Sequence, residues 1–382
     1  MTSKLILTSI LIGTIALIGG VYYYFSSTQS PLTPTFQFRS FPTENELQNP
    51  PVTQTEVPII EEKDGILSTV VSEPVIGAAL SRDGGNTVYI LRENGNIYRI
   101  GFDGQNRTRI SNTTIVGVYE ARWSPDKTKV FVAYERNDEI KKLIMNLVSA
   151  TSTSTIIPNS MQSVAWTPDS RTANFIEQIT DGSRIIAAAA DGKNGREILR
   201  IPLGDLRITS RTASSIFLTQ TPSGTAQGPL FQFNQSSGGF KEVAGGFGLS
   251  ALVSPNGELA FISKTSRSGE VQPASIVSLK DGSQTQLSIR TLAEKCAWQN
   301  DQIIFCGVPQ NIPSGALMPD DYYKGIVIAD DQLVRIHAQT RESVAYDVKG
   351  FDMQDLFTDA EGKNVFFRDQ KTDYLHRFEL PK

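Results

Sequence analysis

The chain has 382 residues, with 36 Lys and Arg against 40 Asp and Glu, so its net charge is −4 and no basic surface for nucleic acid is expected. Two Cys exclude a disulfide-dense scaffold and a four-Cys zinc site, and two His leave little room for His-based metal or triad chemistry. No cofactor is expected. The length allows two domains or one large all-β domain.

Residues 1–25 are predicted to be a transmembrane anchor. The run LILTSILIGTIALIGGVYYYF, residues 5–25, has no charge and is long enough to cross about 30 Å of hydrocarbon. Lys4 precedes it, and the next positive charge is Arg39. The positive-inside rule therefore predicts a single-pass protein of the cell membrane, with a cytoplasmic N-terminus and an extracytoplasmic remainder. The alternative is a cleaved signal peptide, which usually has a shorter apolar region and small residues, not aromatic ones, at its cleavage site.

Residues 26–64 are predicted to be an extended linker. Six Pro lie among Thr, Ser, Gln and Glu residues in this segment. Proline fixes φ and lacks an N–H donor, so neither a helix nor a central strand is expected here. At roughly 3 Å per residue the segment reaches on the order of 100 Å.

Residues 65–382 contain a short pattern that recurs seven times. Its turns begin at spacings of 43, 43, 43, 44, 45 and 59 residues. A period of about 40–45 residues with four short strands in each unit is typical of β-propeller blades. The second strand of each unit carries an aromatic residue: Tyr89, Phe131, Phe175, Phe217, Phe261, Phe305 and Phe366.

The two ends of this region predict how the ring closes. The last unit has three strands, whereas residues 66–71 precede the first unit and have the pattern of a fourth strand. We expect this N-terminal strand to complete the last blade, which removes an open sheet edge. The predicted fold is an all-β, seven-bladed propeller.

The turns Trp123-Ser-Pro-Asp126 and Trp166-Thr-Pro-Asp169, with a weaker copy at Ser254-Pro-Asn-Gly257, resemble the WD40-like (PD40) repeats of TolB-type propellers. The order of anchor, Pro-rich linker and propeller is similar to that of uncharacterised membrane-anchored bacterial propellers. This resemblance implies a propeller fold and a binding role, and it implies no specific enzymatic activity.

The two cysteines flank one predicted hairpin. A three-residue loop between its strands would place Cys296 directly opposite Cys306, and Cα atoms of such a non-hydrogen-bonded pair are about 4.5 Å apart. The predicted extracytoplasmic location permits a disulfide. Two buried thiols are the alternative.

One unit carries an insertion near residues 308–325, between its second and third strands. We expect it to lie on one rim together with residues 221–228, opposite the Ser-Pro-Asp turns. Loops that lengthen on a repeating scaffold often bind ligands, although a plug without a partner is the alternative. The candidate binding residues are Pro309, Met318, Asp320, Asp321, Tyr322 and Tyr323.

A polar column is predicted to line the central channel, four residues before each turn. Its polar members are Glu120, Ser163, Ser250, Lys295 and Gln354. The column contains one acid and one base but no pair of acids, which favours binding over glycosidase-type catalysis. We therefore expect no enzyme but a membrane-tethered, extracytoplasmic module that binds or scaffolds a protein or glycan of the cell envelope. The alternative is an enzyme that processes an envelope carbohydrate or ester with channel residues.

Overall fold

The computed structural model describes residues 59–62, 65–148 and 152–381, which belong to one compact unit, Val52–Lys382. The predicted anchor and most of the predicted linker lie outside the described residues. Within these residues, no helix is long and apolar enough to cross a membrane.

The described strands form seven sheets, six with four strands and one with five. The first two strands, β1 (Ile59–Glu62) and β2 (Ile66–Val71), belong to the last two sheets. Blade 1 contains β3 (Val75–Leu80), β4 (Asn86–Leu91), β5 (Ile97–Gly101) and β6 (Thr108–Arg109). Blade 2 contains β7 (Val118–Trp123), β8 (Lys129–Arg136), β9 (Glu139–Asn146) and β10 (Thr153–Ile157). Blade 3 contains β11 (Met161–Trp166), β12 (Thr172–Ile179), β13 (Gly182–Ala189) and β14 (Arg196–Ile201).

The remaining four blades follow the same antiparallel order. Blade 4 contains β15 (Leu206–Ser210), β16 (Ser215–Gln220), β17 (Gln227–Asn234) and β18 (Phe240–Phe247). Blade 5 contains β19 (Ser250–Val253), β20 (Leu259–Ser263), β21 (Ser275–Ser278) and β22 (Gln284–Gln286). Blade 6 contains β23 (Cys296–Trp298), β24 (Ile303–Pro309), β25 (Asp331–His337), β26 (Ser343–Phe351) and β1, and its first strand follows a 3-10 turn at Ala293–Lys295. Blade 7 contains β27 (Met353–Thr358), β28 (Asn364–Asp369), β29 (Leu375–Glu379) and β2.

The ring closes as the sequence predicts. Strand β2 pairs antiparallel with β29, from Ile66 opposite Glu379 to Val71 opposite Leu375. Val70 and Val71 are buried in the core between blades 7 and 1. The seven-bladed all-β propeller is therefore confirmed.

Strand β1 is an addition that the sequence pattern did not predict. It pairs in parallel with β26, from Ile59 opposite Ser343 to Glu62 opposite Tyr346. These residues lie at the end of the segment predicted to be an extended linker. Blade 6 is consequently the five-stranded sheet of the described chain.

The hydrophobic core lies between neighbouring blades. The seven predicted second-strand aromatic residues are each at most 2% exposed. Phe131 of blade 2, for example, packs with Val164 and Trp166 of blade 3. This arrangement explains why each unit needs its neighbours: a single four-stranded sheet leaves its apolar faces uncovered.

Short polar turns position the strands. In blade 2, Ser124 Oγ donates to Asp126 Oδ1 at 2.7 Å and accepts the Lys129 N–H at 3.0 Å. These side chains satisfy the backbone of the tight turn that Pro125 begins. We call the face that carries these turns the turn face. The opposite face, where second strands end and first strands begin, is called the entrance face.

Candidate functional site

The insertion of blade 6 folds over the entrance face. Residues 310–330, called the cap below, join β24 to β25 and contain the short helix α1 (Asp320–Tyr323). The Met318 N–H donates to Gly269 O of blade 5 at 3.0 Å. Asp320 accepts hydrogen bonds from Ser223 Oγ at 3.0 Å and from the Gly224 N–H at 2.6 Å. The cap and the 221–228 loop thus share one face, as predicted.

Two glycines leave room for the cap. A Cβ at Gly224 would lie 2.2 Å from the carbonyl oxygen of Met318. A Cβ at Gly269, which has φ of +83°, would lie 2.5 Å from Leu317 Cδ1. The loops of blades 4 and 5 are therefore shaped to receive the cap.

Most of the predicted binding residues hold the cap in place. Met318 and Tyr322 are both 2% exposed and pack in a small core that extends to Leu292. Asp320 is bonded to blade 4, and Asp321 Oδ2 accepts the Leu317 N–H at 2.9 Å. Contact of these residues with a ligand therefore stays a prediction, and their observed contacts are within the chain. Pro309 ends β24, and Tyr323 is 41% exposed.

The cap and the predicted channel column meet at a buried charged cluster. Lys295 Nζ lies 2.6 Å from Asp352 Oδ1, 2.7 Å from Asp331 Oδ2 and 2.9 Å from the Tyr322 hydroxyl oxygen. The Lys295 side chain is 1% exposed and both carboxylates are 0% exposed. One amine therefore uses all three of its N–H donors in this cluster.

The Tyr322 hydroxyl is fully hydrogen bonded. It accepts from Lys295 Nζ and from Gln354 Nε2, each at 2.9 Å, and it donates to Asp352 Oδ1 at 2.8 Å. Burial, and then the charge of Asp352, raise the pKa of Tyr322. The phenol therefore stays protonated and remains a donor to Asp352.

The two carboxylates of the cluster differ in their partners. Both oxygens of Asp352 accept hydrogen bonds, because Oδ2 receives the Ala329 N–H at 2.8 Å. Asp331 Oδ2 accepts the Met353 N–H at 2.6 Å, whereas Asp331 Oδ1 is buried without a partner. Burial raises the pKa of Asp331 to about 6, although Lys295 opposes this shift.

Sequence reasoning missed both carboxylates. Asp331 follows the cap directly, and Asp352 precedes the first strand of blade 7. The available signal was Lys295 itself, because a buried ammonium needs a counter-charge. The sequence does not show which of the many acids supplies that charge, since both partners come from other strands.

The other column residues mainly connect blades. Ser163 Oγ of blade 3 accepts the Ile208 N–H of blade 4 at 3.3 Å. Ser250 Oγ of blade 5 donates to Glu294 Oε2 at 3.0 Å, just before blade 6. Glu120 pairs with Arg122 of its own strand at 3.2 Å.

Three large apolar side chains of the cap are exposed. Tyr323, Ile326 and Ile328 are 41%, 68% and 59% exposed. The Tyr323 hydroxyl donates to Glu294, and the Arg207 guanidinium lies 5.8 Å from the centroid of the Tyr323 ring. We call Tyr323, Ile326 and Ile328 the cap surface.

The predicted disulfide is present. Cys296 lies opposite Cys306 in the β23–β24 register, with their Cα atoms 4.1 Å apart. Cys296 directly follows Lys295. The bond therefore fixes the start of β23, directly after the residue that supplies the central amine of the buried cluster.

The described part of the chain contains no group of three or more His, Cys, Asp or Glu residues that could hold a metal ion. A separate open cleft of about 810 Å³ lies between blades 4 and 5. Its lining includes Phe240, Lys241, Glu258 and Lys280. None of the predicted site residues lines this cleft.

No model of a protein family matches the chain, and no curated protein matches it. Solved structures do resemble it. Oligogalacturonate lyase in complex with manganese is 11% identical, with a TM-score of 0.58 over 84% of this chain and 96% of the lyase. The tricorn protease is also 11% identical, with a TM-score of 0.53 over 84% of this chain and 34% of the protease. TolB from Acinetobacter baumannii is 10% identical, with a TM-score of 0.46 over 83% of this chain and 66% of TolB.

The likenesses to the lyase and the protease agree with the predicted propeller fold. At 11% identity they show the fold alone. They assign neither an activity nor a partner, so function has to be argued from the cap and the channel.

Proposed function

We propose that this chain is a membrane-tethered, extracytoplasmic binding module whose cap surface binds a protein of the cell envelope. The observation that carries this proposal is the exposure of Tyr323, Ile326 and Ile328 on a cap that is bonded to neighbouring blades. Several exposed apolar side chains on one short, firmly held segment are typical of protein interaction sites. Two exposed Ile side chains fit a protein partner better than a glycan, because sugars are bound mainly through hydroxyl groups and aromatic stacking.

The tether is supported by the uncharged segment at residues 5–25 and by the charge pattern around it. A protease added to intact cells, or to spheroplasts if an outer layer blocks access, is expected to release a fragment that begins between residues 26 and 58. Full protection of the chain in spheroplasts would contradict the extracytoplasmic location.

One observation bears on the enzymatic alternative. Asp331 and Asp352 contact the same Lys295 nitrogen, at 2.7 and 2.6 Å, so two carboxyl groups lie as close as those of a retaining glycosidase. Both are 0% exposed, and Tyr322 of the cap bonds to Asp352. Substrate would reach them only after the cap moves, and this arrangement favours binding at the cap surface over catalysis beneath it.

Site-specific photo-crosslinking in intact cells tests the proposal. A photoreactive residue at Ile326 is expected to capture one envelope protein, whereas the same residue at Arg82, in an exposed turn of blade 1 on the turn face, is expected to capture none of it. The double variant Ile326→Ser and Ile328→Ser is expected to weaken binding of the captured protein at least tenfold, with an unchanged melting temperature. Equal capture at both positions, or unweakened binding by the double variant, would contradict the proposal. Capture of a glycan alone would show that the partner is a glycan and not a protein.

A further inference from the structure

We propose that the cap is a pH-responsive latch, held more firmly at acidic than at neutral pH, and that Asp331 is the group that binds the proton. This proposal concerns the cap and the residues beneath it. It does not depend on the partner proposed above.

The buried cluster has an unbalanced charge. Lys295 brings one positive charge, and Asp331 and Asp352 bring two negative charges, all at 0–1% exposure. A net charge in such a dry site is costly, and the common remedy is protonation of one group. At neutral pH the closed cap therefore covers a cluster with one uncompensated negative charge.

The hydrogen bonds of the two carboxylates show which of them takes the proton. Asp352 Oδ1 contacts Lys295 and Tyr322, and Asp352 Oδ2 accepts the Ala329 N–H. Asp331 uses only Oδ2, and its buried Oδ1 has no partner. A proton on Asp331 Oδ1 neutralises the cluster without breaking a hydrogen bond.

The charged and titratable groups around Asp331 come from each neighbouring element. Lys295 stands before β23, Asp352 stands before β27, and Tyr322 comes from the cap. Asp369, at the end of β28, accepts the Asp352 N–H at 3.0 Å. Of these groups, Lys295 lowers the pKa of Asp331 and Asp352 raises it, while burial has the largest effect.

The cap is bonded directly to the cluster that holds the proton. Tyr322 and Ala329 belong to the cap and bond directly to Asp352, and Asp331 follows the cap in the chain. Lifting the cap lets water reach the cluster, so the pKa of Asp331 falls from about 6 toward 3.8 and the proton is released. Opening is therefore favoured as the pH rises through this range. By linkage, the opening equilibrium constant increases about tenfold between pH 5 and pH 7.5.

Hydrogen exchange of the full chain in mild detergent, followed by mass spectrometry, tests whether cap opening depends on pH. Rates at pH 5 and pH 7.5 are divided by the intrinsic exchange rates at each pH. Cap amides, such as the Met318 and Ala329 N–H groups, are expected to be about tenfold better protected at pH 5. Amides of β12 and β13 in blade 3 serve as the internal reference.

Two matched variants complete the test. Asp331→Asn mimics the protonated side chain, so the pH difference in cap protection is expected to disappear. Asp330→Asn, at the adjacent exposed residue, is expected to retain it. Equal cap protection at both pH values in the wild-type chain, or a tenfold difference that persists in Asp331→Asn, would overturn the proposal. If Asp331→Asn does not fold, the wild-type comparison alone decides.

Discussion

The hydroxyl of Tyr322 lies 2.9 Å from the amine of Lys295. The first residue was predicted to bind a partner on a rim and the second to line the channel. Their contact means that the insertion is built into the mouth of the propeller. It also means that the cap cannot be displaced without exposing a charged cluster that is otherwise dry.

Removing the Tyr322 hydroxyl is expected to destabilise the chain. Tyr322→Phe removes one acceptor from Lys295 and one from Gln354, and it removes one donor from Asp352, at a residue that is 2% exposed. Loss of buried hydrogen bonds of this kind costs about 1–3 kcal/mol in the free energy of unfolding. Chemical denaturation of the variant and the wild-type chain measures this loss.

Tyr323→Phe is the control for this prediction. Tyr323 is the next residue, carries the same hydroxyl, and bonds to the partly exposed Glu294. We expect a loss below about 1 kcal/mol, since water replaces the lost partner. Equal losses in the two variants would show that the buried cluster does not anchor the cap.

The disulfide is expected to stabilise blade 6. Cys296 and Cys306 are 10 residues apart, and closing a loop of that length contributes at most about 3 kcal/mol. Alkylation without reductant should find no free thiol, and added reductant should lower the melting temperature. The double variant Cys296→Ala and Cys306→Ala should be insensitive to reductant. Two labelled thiols in freshly isolated protein would refute the bond.

His376 is expected to make stability fall in mild acid. Its Nδ1 lies 3.2 Å from Thr69 Oγ1, its buried Nε2 has no partner, and its ring stacks on Phe367. Burial lowers the pKa of His376 from 6.5, and Asp369 only partly opposes this. The unfolded chain therefore binds a proton before the folded chain does, and stability is lost as the pH drops below about 6.5.

The variant His376→Phe keeps an aromatic ring and removes the titration. Relative to the wild-type chain, the variant should have a higher free energy of unfolding at pH 5 than it has at pH 7.5. His337→Gln, at the other histidine, is measured beside it. Denaturation curves at the two pH values decide, and identical pH dependence in all three proteins would show that His376 is not the cause.

The repeat made the propeller predictable from the sequence, whereas the contacts of the cap could not be predicted. Period, turn residues and the second-strand aromatic residues recur seven times, so each unit supports the same register. The cap occurs once, and its contacts join residues that are far apart in the chain, such as Asp320 and Gly224. Position in an insertion indicated exposure for Met318 and Tyr322, but a small core with blade 5 and blade 6 residues buries both.

Ring closure by β2 gives the most direct test of the architecture. Deleting residues 1–72 removes the ladder from Ile66 to Val71 and exposes the edge of β29. Each lost hydrogen bond costs about 1 kcal/mol, and the lost burial of Val70 and Val71 costs roughly 1.5–3 kcal/mol each. That sum approaches the whole stability of a typical domain, about 5–15 kcal/mol. The chain 73–382 is therefore expected to aggregate or to melt many degrees below 52–382.

A third chain, 63–382, separates the two N-terminal strands. It lacks β1 but keeps the whole of β2 and Gly65, where an added Cβ would lie 2.0 Å from Phe378 Cζ. Strand β1 adds four parallel pairs at an outer edge that the blade already completes with β26, so its loss should lower the melting temperature by only a few degrees. If 63–382 melts with 52–382 while 73–382 does not fold, β2 closes the ring. If 63–382 is as unstable as 73–382, β1 contributes to ring closure as much as β2 does. Pairing at the outer edge of blade 6 is then also needed to close the ring.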